Sequence, residues 1–456
     1  MRPVSIDEAA RAVNGTIKLV GELKKRDIVF VTMDSRKACE NCLFVCIKGE
    51  RVDGHDFIGD VFSKGAAAVL CDHIPETACE GVYIVAENTV EALQRLAEWY
   101  RGTLSVKVVG ISGSVGKTST KEMVASVLSA GFKVLKTQGN YNNEIGLPLT
   151  VLSIEPSHEV AVLEMGISDF GEMRLLARIA RPDICVITNI GQSHLEALKT
   201  RDGILKAKTE MFEYRNPDGP IFLNGDDDKL STVTDVSGTK PVFYGFSENN
   251  FAHPENVESL GLAGTKMTVC LGDNKFDAKI KMIGNHMVMN AMAASLIGEY
   301  LGMSNEKIRE GLENAETIGG RSHLIAHGSG FVIDDCYNAA PTSMKAAVDS
   351  LCLAKGRKVA ILGDMFELGE DTESMHRDMG VYAVSKPIDK LICVGTISKN
   401  MYEGAKGTKS ACEVVYYETM EGLMERLEAE ILPDDNVLVK ASNGMHFSKL
   451  VEALTK

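Results

Sequence analysis

The stretch "VVGISGSVGKTSTKEM", residues 108–123, decides the interpretation of the fold. A short apolar run is followed by spaced glycines and then by a segment with the apolar spacing of a helix. A strand, a glycine loop and a helix in this order are typical of phosphate-binding loops, whose usual form is G-x-x-x-x-G-K-[ST]. Counting back from Gly116 and Lys117 places Ile111 where that form has its first glycine. The sequence therefore indicates a variant of the usual loop.

The chain around this loop alternates apolar runs of strand length with helical segments. The runs are "VKVVGIS", "VAVLEMG", "ICVITNIG" and "PIFLNGD", all between residues 106 and 226. Runs that are apolar on both faces predict a parallel sheet covered by helices on both sides. A hairpin pattern follows in "GTKMTVCLGDNKFDAKIKMIG", residues 264–284, and a helix follows it in "NHMVMNAMAASLIGEYLG".

Two further segments flank this central one. Residues 1–86 combine short helices, predicted to begin at Ile6 and at Asp56, with β-rich runs such as "DIVFVTMDSR" and "LFVCIKGE", which predict a small mixed α/β binding domain. After residue 319 a second alternating series begins, and it predicts a Rossmann-like α/β domain. That series contains no G-x-G-x-x-G fingerprint, which argues against a bound dinucleotide. We expect three α/β domains, at residues 1–86, 87–319 and 320–456, as a length of 456 residues also suggests.

Composition limits the partners and the compartment. The net charge of -14 argues against a nucleic acid or an anionic membrane as partner, because both require clustered Lys and Arg. No apolar run approaches the ~20 residues that span a bilayer, so we expect no membrane insertion and a cytoplasmic protein. Most of the eleven cysteines lie among apolar neighbours, as reduced core thiols do. Cys39 and Cys42 in "CENC" have no second pair at metal spacing, which disfavours a zinc site there.

The glycine loop offers the chemistry of nucleotide binding. Backbone N–H groups at a helix N-terminus attract phosphate, and glycine lets the backbone come close to it. Lys117 is placed to reach the outer phosphates, and the Thr118 hydroxyl is placed to ligate Mg²⁺. Mg²⁺ also needs carboxylate ligands. Glu164 and His194 both follow strands of the predicted sheet, so we expect them at the same edge as the loop.

An asparagine cluster marks one further loop. Asn140, Asn142 and Asn143 stand in "TQGNYNNEIGLPLTVL", residues 137–152. Asparagine clusters are typical of turns. A turn of this kind can also present side-chain amides to a substrate, so both interpretations stay open.

These motifs together resemble the Mur ligases, cytoplasmic enzymes that form amide bonds in peptidoglycan precursors. The spelling "GISGSVGKTS" is similar to their ATP loop, and "DSRKACENCLFVCIKGERVDGHDF" resembles their UDP-binding N-terminal domain. Over essentially the whole chain, further motifs follow in family order: "TNIGQSHLE", "AKTEMF", "GNHMVMNAMAA", "GGRS" and "DDCYNAAPTSMKAA". Within the family, "GNYNNEIGLPLTVL" and "GDMFELGE" most resemble the members that add D-alanyl-D-alanine to UDP-N-acetylmuramoyl-tripeptide.

The resemblance implies a ligase that uses ATP and Mg²⁺, forms an acyl phosphate and joins the two substrates just named; we expect a monomer. It implies an ATP site of Gly113, Ser114, Gly116, Lys117, Thr118, Ser119, Asn290, Arg321, Asp335 and Asn338. It implies the catalytic residues Lys117, Glu164, His194 and Lys208, and the metal ligands Thr118, Glu164, His194 and Lys208. Lys208 is expected to be carbamylated, since an N-carboxylate suits Mg²⁺ where a cation would repel it. The implied substrate contacts are Ser35, Arg36, Asn140, Asn142 and Asn143.

One position departs from the family pattern, and three other functions remain alternatives. "SNGMHF" has Asn443 where the family commonly has an arginine, so no arginine contact is assigned there. Another Mur-type ligase or a folylpolyglutamate-synthase-like enzyme would share the ATP chemistry but use a different amine. A regulatory ATP-binding protein has no physical reason to keep the whole set of catalytic residues. A small-metabolite kinase would need no three-domain layout and would release a phosphorylated product.

Overall fold

Three separate sheets organise the chain. The computed structural model describes residues 1–21 and 26–455. Its helices are α1 Ile6–Val13, α2 Ile58–Ser63, α3 Thr89–Arg101, α4 Lys117–Ser129, α5 Gly146–Leu152, α6 Glu172–Ala180, α7 Leu195–Leu198, α8 Arg201–Thr209, α9 Asn285–Tyr300, α10 Asn305–Asn314, α11 Pro341–Leu351, α12 Thr372–Val384, α13 Lys399–Lys406, α14 Met420–Met424, α15 Leu427–Glu430 and α16 Ser448–Leu454.

The strands follow the three-part division of the sequence. They are β1 Thr16–Val20, β2 Phe30–Thr32, β3 Cys42–Val45, β4 Ala68–Cys71, β5 Gly81–Val85, β6 Lys107–Ser112, β7 Val134–Lys136, β8 Val160–Glu164, β9 Ile184–Ile187, β10 Ile221–Asn224, β11 Val242–Tyr244, β12 Ala252–Ser259, β13 Thr265–Leu271, β14 Asn274–Ile280, β15 His323–His327, β16 Gly330–Asp334, β17 Lys358–Gly363, β18 Lys390–Val394, β19 Glu413–Tyr417 and β20 Asn436–Lys440. Within the described ranges, no helix combines the length and the apolar character that crossing a membrane requires.

The first sheet has the order β1-β5-β4-β3-β2, in which β2 to β5 run parallel and β1 pairs antiparallel with β5. Before it, α1 begins at Ser5, whose side chain and that of Glu8 each accept the other's backbone N–H in a capping box. The sequence suggested a helix from Asp56. The α-helix starts at Ile58 instead, because the Asp53 side chain accepts the N–H of His55 and closes a tight 3₁₀ turn first.

The second sheet carries the glycine loop. Its order is β14-β13-β12-β11-β10-β9-β6-β8-β7, with β6 to β12 parallel and the pairs β12–β13 and β13–β14 antiparallel. The predicted parallel sheet and hairpin are both confirmed. Strand β6 lies between β8 and β9, so the segments that follow these three strands meet at one edge of the sheet.

One continuous apolar core joins the first two sheets. At one end this core includes Val4, which precedes the first sheet in the chain. It continues through α3 with Leu93 and Leu96 and reaches the second sheet at Leu163 and Ile187. The Gln94 side chain donates to the backbone oxygen of Glu144, which adds a polar contact between α3 and the asparagine loop. The first two sheets are therefore packed as one unit.

The third sheet has its own cores. Its order is β15-β16-β20-β17-β18-β19, parallel except for β15, which forms a hairpin with β16. Apart from Ile283, its two buried clusters use residues after position 331. The predicted three-domain α/β architecture is confirmed, and we propose to divide the chain between the sheets, at 86/87 and 319/320.

Candidate active site

The glycine loop connects β6 to α4 and is fixed by the end of β9. The backbone N–H of Ser114 donates to the backbone oxygen of Asn189, and the backbone N–H of Val115 donates to the Asn189 side-chain oxygen; each distance is 3.0 Å. The Thr188 hydroxyl donates to the backbone oxygen of Val115 at a distance of 2.7 Å. These hydrogen bonds fix the shape of the loop, as a preorganised anion site requires.

Two glycines of the loop are required for different reasons. At Gly113 a Cβ would lie 1.9 Å from the Thr188 hydroxyl oxygen, and its φ of +150° is unfavourable for other residues. Gly116 has a φ of +84° and starts α4, but a Cβ there would meet nothing nearer than 4.0 Å. Packing excludes a side chain at Gly113, whereas backbone conformation alone disfavours one at Gly116.

Lys117 folds back over the loop that precedes it. Its ammonium donates to the backbone oxygen of Gly113 at a distance of 2.7 Å. Lys117 also lines the cavity between the second and third domains. Desolvation lowers the pKa of Lys117, the nearby Glu164 raises it and Arg321 lowers it. The side chain is a cation held where an anionic ligand can replace the carbonyl contact.

A buried carboxylate stands beside the loop. Glu164 ends β8 and is 1% exposed, and its Oε1 accepts from the Thr118 hydroxyl at 3.1 Å and from the Asn142 amide at 2.8 Å. Among the residues that the structure describes, its buried Oε2 has no hydrogen-bond partner, and the Lys121 ammonium lies 3.7 Å from it. A buried carboxylate oxygen without a hydrogen bond, next to a threonine hydroxyl, fits a hard oxygen-seeking cation such as Mg²⁺.

Lys208 lies in α8 and is 1% exposed. No carboxylate of residues 1–21 or 26–455 forms an ion pair with it. Burial, together with the neighbouring charge of Lys117, lowers the pKa of Lys208 well below its usual value. Since an unpaired buried ammonium is costly, this environment favours the neutral amine over the charged one.

His194 reaches across to the third domain. It has a φ of +60° at the start of α7, and its Nδ1 lies 2.8 Å from Oε2 of Glu367. Burial lowers the pKa of His194, Glu367 raises it, and Lys117 and Lys208 lower it further. His194 therefore shares an electrostatic environment with both lysines.

A cavity of about 630 Å³ unites the second and third domains. On its far wall, the Arg321 guanidinium stacks on the Tyr337 ring at 4.0 Å. The buried Lys440 ammonium lies 2.6 Å from Oδ2 of Asp335 and 2.9 Å from the backbone oxygen of Asn338. The sequence-predicted residues that line this cavity are Ser114, Gly116, Lys117, Thr118, Ser119, Asn142, Asn143, Glu164, His194, Asn290, Arg321, Asp335 and Asn338.

The remaining predicted residues lie elsewhere. Gly113 and Lys208 are buried and do not line the cavity, and Asn140 precedes the lining residues of its loop. Ser35 and Arg36 form a 3₁₀ turn after β2, where the exposed Arg36 pairs with Asp34 at 2.8 Å. The charge of Arg36 also interacts with Tyr141 in the asparagine loop. The structure therefore separates a nucleotide-type cavity from a basic turn on the first domain.

Several residues that line the cavity or contact its lining were not anticipated from the sequence. Asn189 and Thr188 shape the glycine loop, Lys440 fixes Asp335, and Glu367 faces His194. The signal for Asn189 was its place at the end of "ICVITN", but the distant pairs depend on strand order, which the sequence did not indicate. Asn443, the departure from the family pattern, is exposed in a 3₁₀ turn after β20.

Comparison with known proteins agrees with this geometry. Three family descriptions match in order: "Mur ligase family, catalytic domain" at residues 27–101, "Mur ligase middle domain" at 111–298 and "Mur ligase, glutamate ligase domain" at 320–443. The chain is 39% identical over 455 residues to the Bacillus subtilis (strain 168) protein named UDP-N-acetylmuramoyl-tripeptide–D-alanyl-D-alanine ligase, covering 99% of this chain and 98% of that one. It is 33% identical over 448 residues to the Escherichia coli (strain K12) protein of the same name, covering 96% of each.

Solved structures give the same result. A crystal structure of MurF from Acinetobacter baumannii has a TM-score of 0.91 at 30% identity, covering 100% of this chain and 99% of that one. MurF ligase from Thermotoga maritima in complex with ADP has a TM-score of 0.81 at 27% identity, covering 93% and 97%. The fold and the site define an ATP-dependent ligase of three α/β domains. The chain belongs to the Mur ligase family.

Proposed function

We propose that this enzyme joins D-alanyl-D-alanine to UDP-N-acetylmuramoyl-tripeptide and converts ATP to ADP and phosphate. The product is the UDP-linked muramoyl pentapeptide of peptidoglycan synthesis, which places the enzyme in cell-wall biogenesis and hence in cell shape and division. The observation that carries the proposal is the alignment, over nearly the full length of both chains, with relatives that bear this name. The cavity between the second and third domains supplies a site for the chemistry.

In this proposal ATP lies in the cavity, with its phosphates on the glycine loop. The loop residues Gly113 to Ser119 supply backbone N–H groups at the N-terminus of α4, which attract phosphate. Asn290, fixed by the Thr120 hydroxyl at 2.9 Å, and Arg321 contact the nucleotide from the sides. Asp335 and Asn338, both held by Lys440, contact it from the third domain.

The reaction requires activation of a carboxylate. An amine does not displace oxide from a carboxylate at neutral pH, whereas phosphate leaves readily from an acyl phosphate. The terminal carboxylate of the tripeptide attacks the outer phosphorus of ATP, whose bond to the bridging oxygen breaks and releases ADP. The amine of D-alanyl-D-alanine then attacks the acyl carbon, loses a proton and expels phosphate. Lys117 neutralises charge on the transferred phosphoryl group, so catalysis is mainly positioning and electrostatic stabilisation.

The side chains beside the loop fit Mg²⁺. Thr118 and Glu164 would hold one ion through the hydroxyl and through the buried Oε2, which accepts no hydrogen bond from the described residues. Glu164, His194 and a modified Lys208 would hold a second. When bound, Mg²⁺ supplies neutralisation of phosphate charge.

We propose that the modification of Lys208 is a carbamate. A neutral amine has a lone pair that can attack CO₂, after which the nitrogen loses a proton and an N-carboxylate remains. Burial without a carboxylate partner and the lowered pKa of Lys208 support this reaction, because both favour the neutral amine. The anion formed would attract the neighbouring Lys117 ammonium and offer hard oxygen ligands.

The first domain holds the nucleotide end of the acceptor in this proposal. Ser35 and Arg36 bind the uridine diphosphate, and the peptide runs past Asn140, Asn142 and Asn143 toward Glu164. The 87% exposure of the Arg36 side chain supports this role, because its pair with Asp34 can be exchanged for phosphate at little cost. We propose a monomer in the cytoplasm, where ATP and UDP-linked precursors are present and where the buried thiols stay reduced.

The test is a complete reaction followed by mass analysis. The purified enzyme is incubated with ATP, Mg²⁺, UDP-N-acetylmuramoyl-tripeptide and D-alanyl-D-alanine, and the nucleotide product should gain the mass of the dipeptide less one water. Parallel reactions replace the dipeptide with single amino acids or glutamate. Turnover with glutamate alone would indicate a folylpolyglutamate-type ligase, and a stable phosphorylated product without amide would indicate a kinase; either result contradicts the proposal.

A further inference from the structure

A histidine and aspartate cluster lies in the first domain, away from the cavity. His55 sits in the 3₁₀ turn before α2, and Asp72 and His73 directly follow β4. One ligand atom from each of these three residues lies within 4.8 Å of the other two. The two imidazole rings stack with centroids 4.3 Å apart. We refer to these three residues as the histidine cluster.

The buried member of the cluster has an orphaned nitrogen. Only 6% of the His55 side chain is exposed, and its Nδ1 lies 2.6 Å from Oδ1 of Asp53. The same Asp53 oxygen accepts the backbone N–H of His55 at 3.0 Å, which fixes this carboxylate. Within the described residues, Nε2 of His55 is buried without a hydrogen-bond partner. The proton of a neutral His55 therefore belongs on Nδ1, and Nε2 presents a lone pair.

The lone pair on Nε2 of His55 faces a carboxylate oxygen of Asp72, which is also a hydrogen-bond acceptor. Nε2 of His55 lies 3.2 Å from Oδ1 of Asp72, a separation at which two acceptors repel each other unless a positive species lies between them. Zinc is bound by imidazole nitrogen and carboxylate oxygen at ~2.0–2.2 Å, which sets ligand atoms of a tetrahedral site roughly 3.3 Å apart. The His55–Asp72 separation matches that edge. Nδ1 of His73 contacts Oδ1 of Asp72 more closely than that edge, so the exposed His73 side chain would rotate to bind the same ion. An imidazole donating its other N–H to a carboxylate is the usual support of a metal-binding histidine.

We propose that His55, Asp72 and His73 bind a divalent transition-metal ion of the zinc type, with Asp53 orienting the His55 ring. Two imidazoles and a carboxylate suit such an ion better than Mg²⁺, which prefers oxygen ligands. Two carboxylates with Lys48 as the nearby cation give the cluster a net negative surrounding. The ion would tie the turn before α2 to the end of β4, which stabilises the first domain.

A second cluster provides the internal comparison. His253, Glu255 and Cys270 also lie within ligand distance of one another on the β12–β13 hairpin. There, however, Oε1 of Glu255 lies 2.7 Å from the Lys275 ammonium, and Nδ1 of His253 pairs with a backbone oxygen. Because its carboxylate is already neutralised, this cluster is the weaker metal site and serves as the control.

The experiment measures zinc binding to the full-length enzyme without nucleotide. The protein is stripped with a chelator, which is then removed, and Zn²⁺ is titrated by calorimetry in excess Mg²⁺ to fill oxygen-rich sites. We expect one tightly bound equivalent. His73→Gln changes a side chain that is 63% exposed, so it should fold, and it should weaken binding by at least about tenfold. Asp53→Asn should weaken binding ~10–100-fold through ring orientation, and His253→Gln should leave it unchanged.

Cobalt substitution on the unmodified enzyme gives a second readout that needs no variant. Co²⁺ at this site should produce the visible absorption of a nitrogen and oxygen environment without thiolate-to-metal charge transfer. Three results would overturn the proposal: no zinc binding, binding that survives His73→Gln but is lost in His253→Gln, or a thiolate charge-transfer band, which would assign the metal to cysteines. If a proton alone bridges His55 and Asp72, no zinc equivalent will be found.

Discussion

Nδ1 of His194 lies 2.8 Å from Oε2 of Glu367, so a residue after a strand of the second sheet contacts a loop of the third domain. Glu367 is in the left-handed region, with a φ of +63°, which directs this loop toward α7. Because 60% of the Glu367 side chain is exposed, the pair adds little to stability, on the order of 0.2–1 kcal/mol. Its effect falls on the protonation of His194.

Glu367→Gln should lower the pKa of His194 further. Burial already lowers that pKa, and Glu367 is the larger of the two carboxylate influences that raise it. Titration of labelled histidine ring signals without metal or nucleotide measures the change, with the His194 signal assigned from His194→Gln. The exposed neighbour Glu370 provides the control, since Glu370→Gln should leave the signal in place. An unchanged or raised pKa in Glu367→Gln would mean that the pair does not form in solution.

Lys117→Ala should reduce kcat by about 10²–10³-fold, the usual effect of removing one electrostatic donor to a developing charge. The measurement is phosphate release at saturating substrates. Lys279→Ala removes an exposed lysine of β14 and should have no effect. Turnover near that of the unmodified enzyme in Lys117→Ala would refute the assignment of the glycine loop.

Lys208→Ala should lose at least about tenfold in activity, because the proposed metal ligand is removed. Short carboxylic acids should restore part of the activity by supplying the missing oxygens. Lys206→Ala, on the exposed side of the same helix, is the matched control. The carbamate itself is measured by a carbon-13 signal after labelling with ¹³CO₂. Full activity of Lys208→Ala, or a metal-bound enzyme without the labelled signal, contradicts the carbamate.

Gly113→Ala should damage the enzyme more than Gly116→Ala. Both positions have positive φ, which costs a non-glycine residue roughly 1–2 kcal/mol. Only at Gly113 does the added carbon also collide with Thr188. We therefore expect a larger fall in melting temperature and in ADP affinity for Gly113→Ala, measured by calorimetry on both variants. Equal effects would show that the loop relaxes around the added methyl group.

Stability of the third domain should fall as the pH drops below about 6.5, the ordinary pKa of histidine. His376 is fully buried, and its Nε2 accepts the backbone N–H of Met365 at 2.9 Å while its Nδ1 pairs with a backbone oxygen. Burial lowers the pKa of His376, so at mildly acidic pH the imidazole is protonated more readily in the unfolded chain than in the folded chain. The contribution of neutral, buried His376 to the free energy of unfolding is therefore complete above the pKa of histidine in the unfolded chain, and it is lost as the pH falls below that pKa.

The measurement is urea denaturation at several pH values between 7.5 and 5. His376→Gln should be less stable at neutral pH but should show a shallower decline on acidification. His446→Asn changes an exposed histidine in a left-handed position that asparagine tolerates, and its decline should match that of the unmodified enzyme. A decline of equal steepness in His376→Gln would assign the effect to other groups.

The fold was predictable where local pattern and burial agree. The runs that became β6, β8, β9 and β10 were apolar on both faces, and the loop before Lys117 combined glycines with a helix start. The partially exposed β7 and β15 carried no such signal, because edge strands are half solvated.

The site divides in the same way. Lys117, Thr118 and Glu164 could be placed together from the rule that ligands gather at the carboxyl ends of parallel strands. The pairs His194–Glu367 and Asp335–Lys440 could not, since each joins segments more than one hundred residues apart whose meeting depends on domain packing and strand order. The left-handed conformation of His194 also has no local sequence signal.

The core shared by the first two sheets fixes the length of acceptor peptide that the enzyme can use. If Ser35 and Arg36 hold the uridine diphosphate as proposed, the distance from that anchor to the glycine loop is set by a solid body of packed side chains and is the same for every acceptor. A peptide one residue too short does not reach the transferred phosphate, and one residue too long overshoots it. The buried clusters of the third domain include Ile283 of the second domain and pack against its Leu262, a smaller shared core than the one between the first two sheets. We therefore expect the third domain to be the part that moves to close over an acceptor of the correct length.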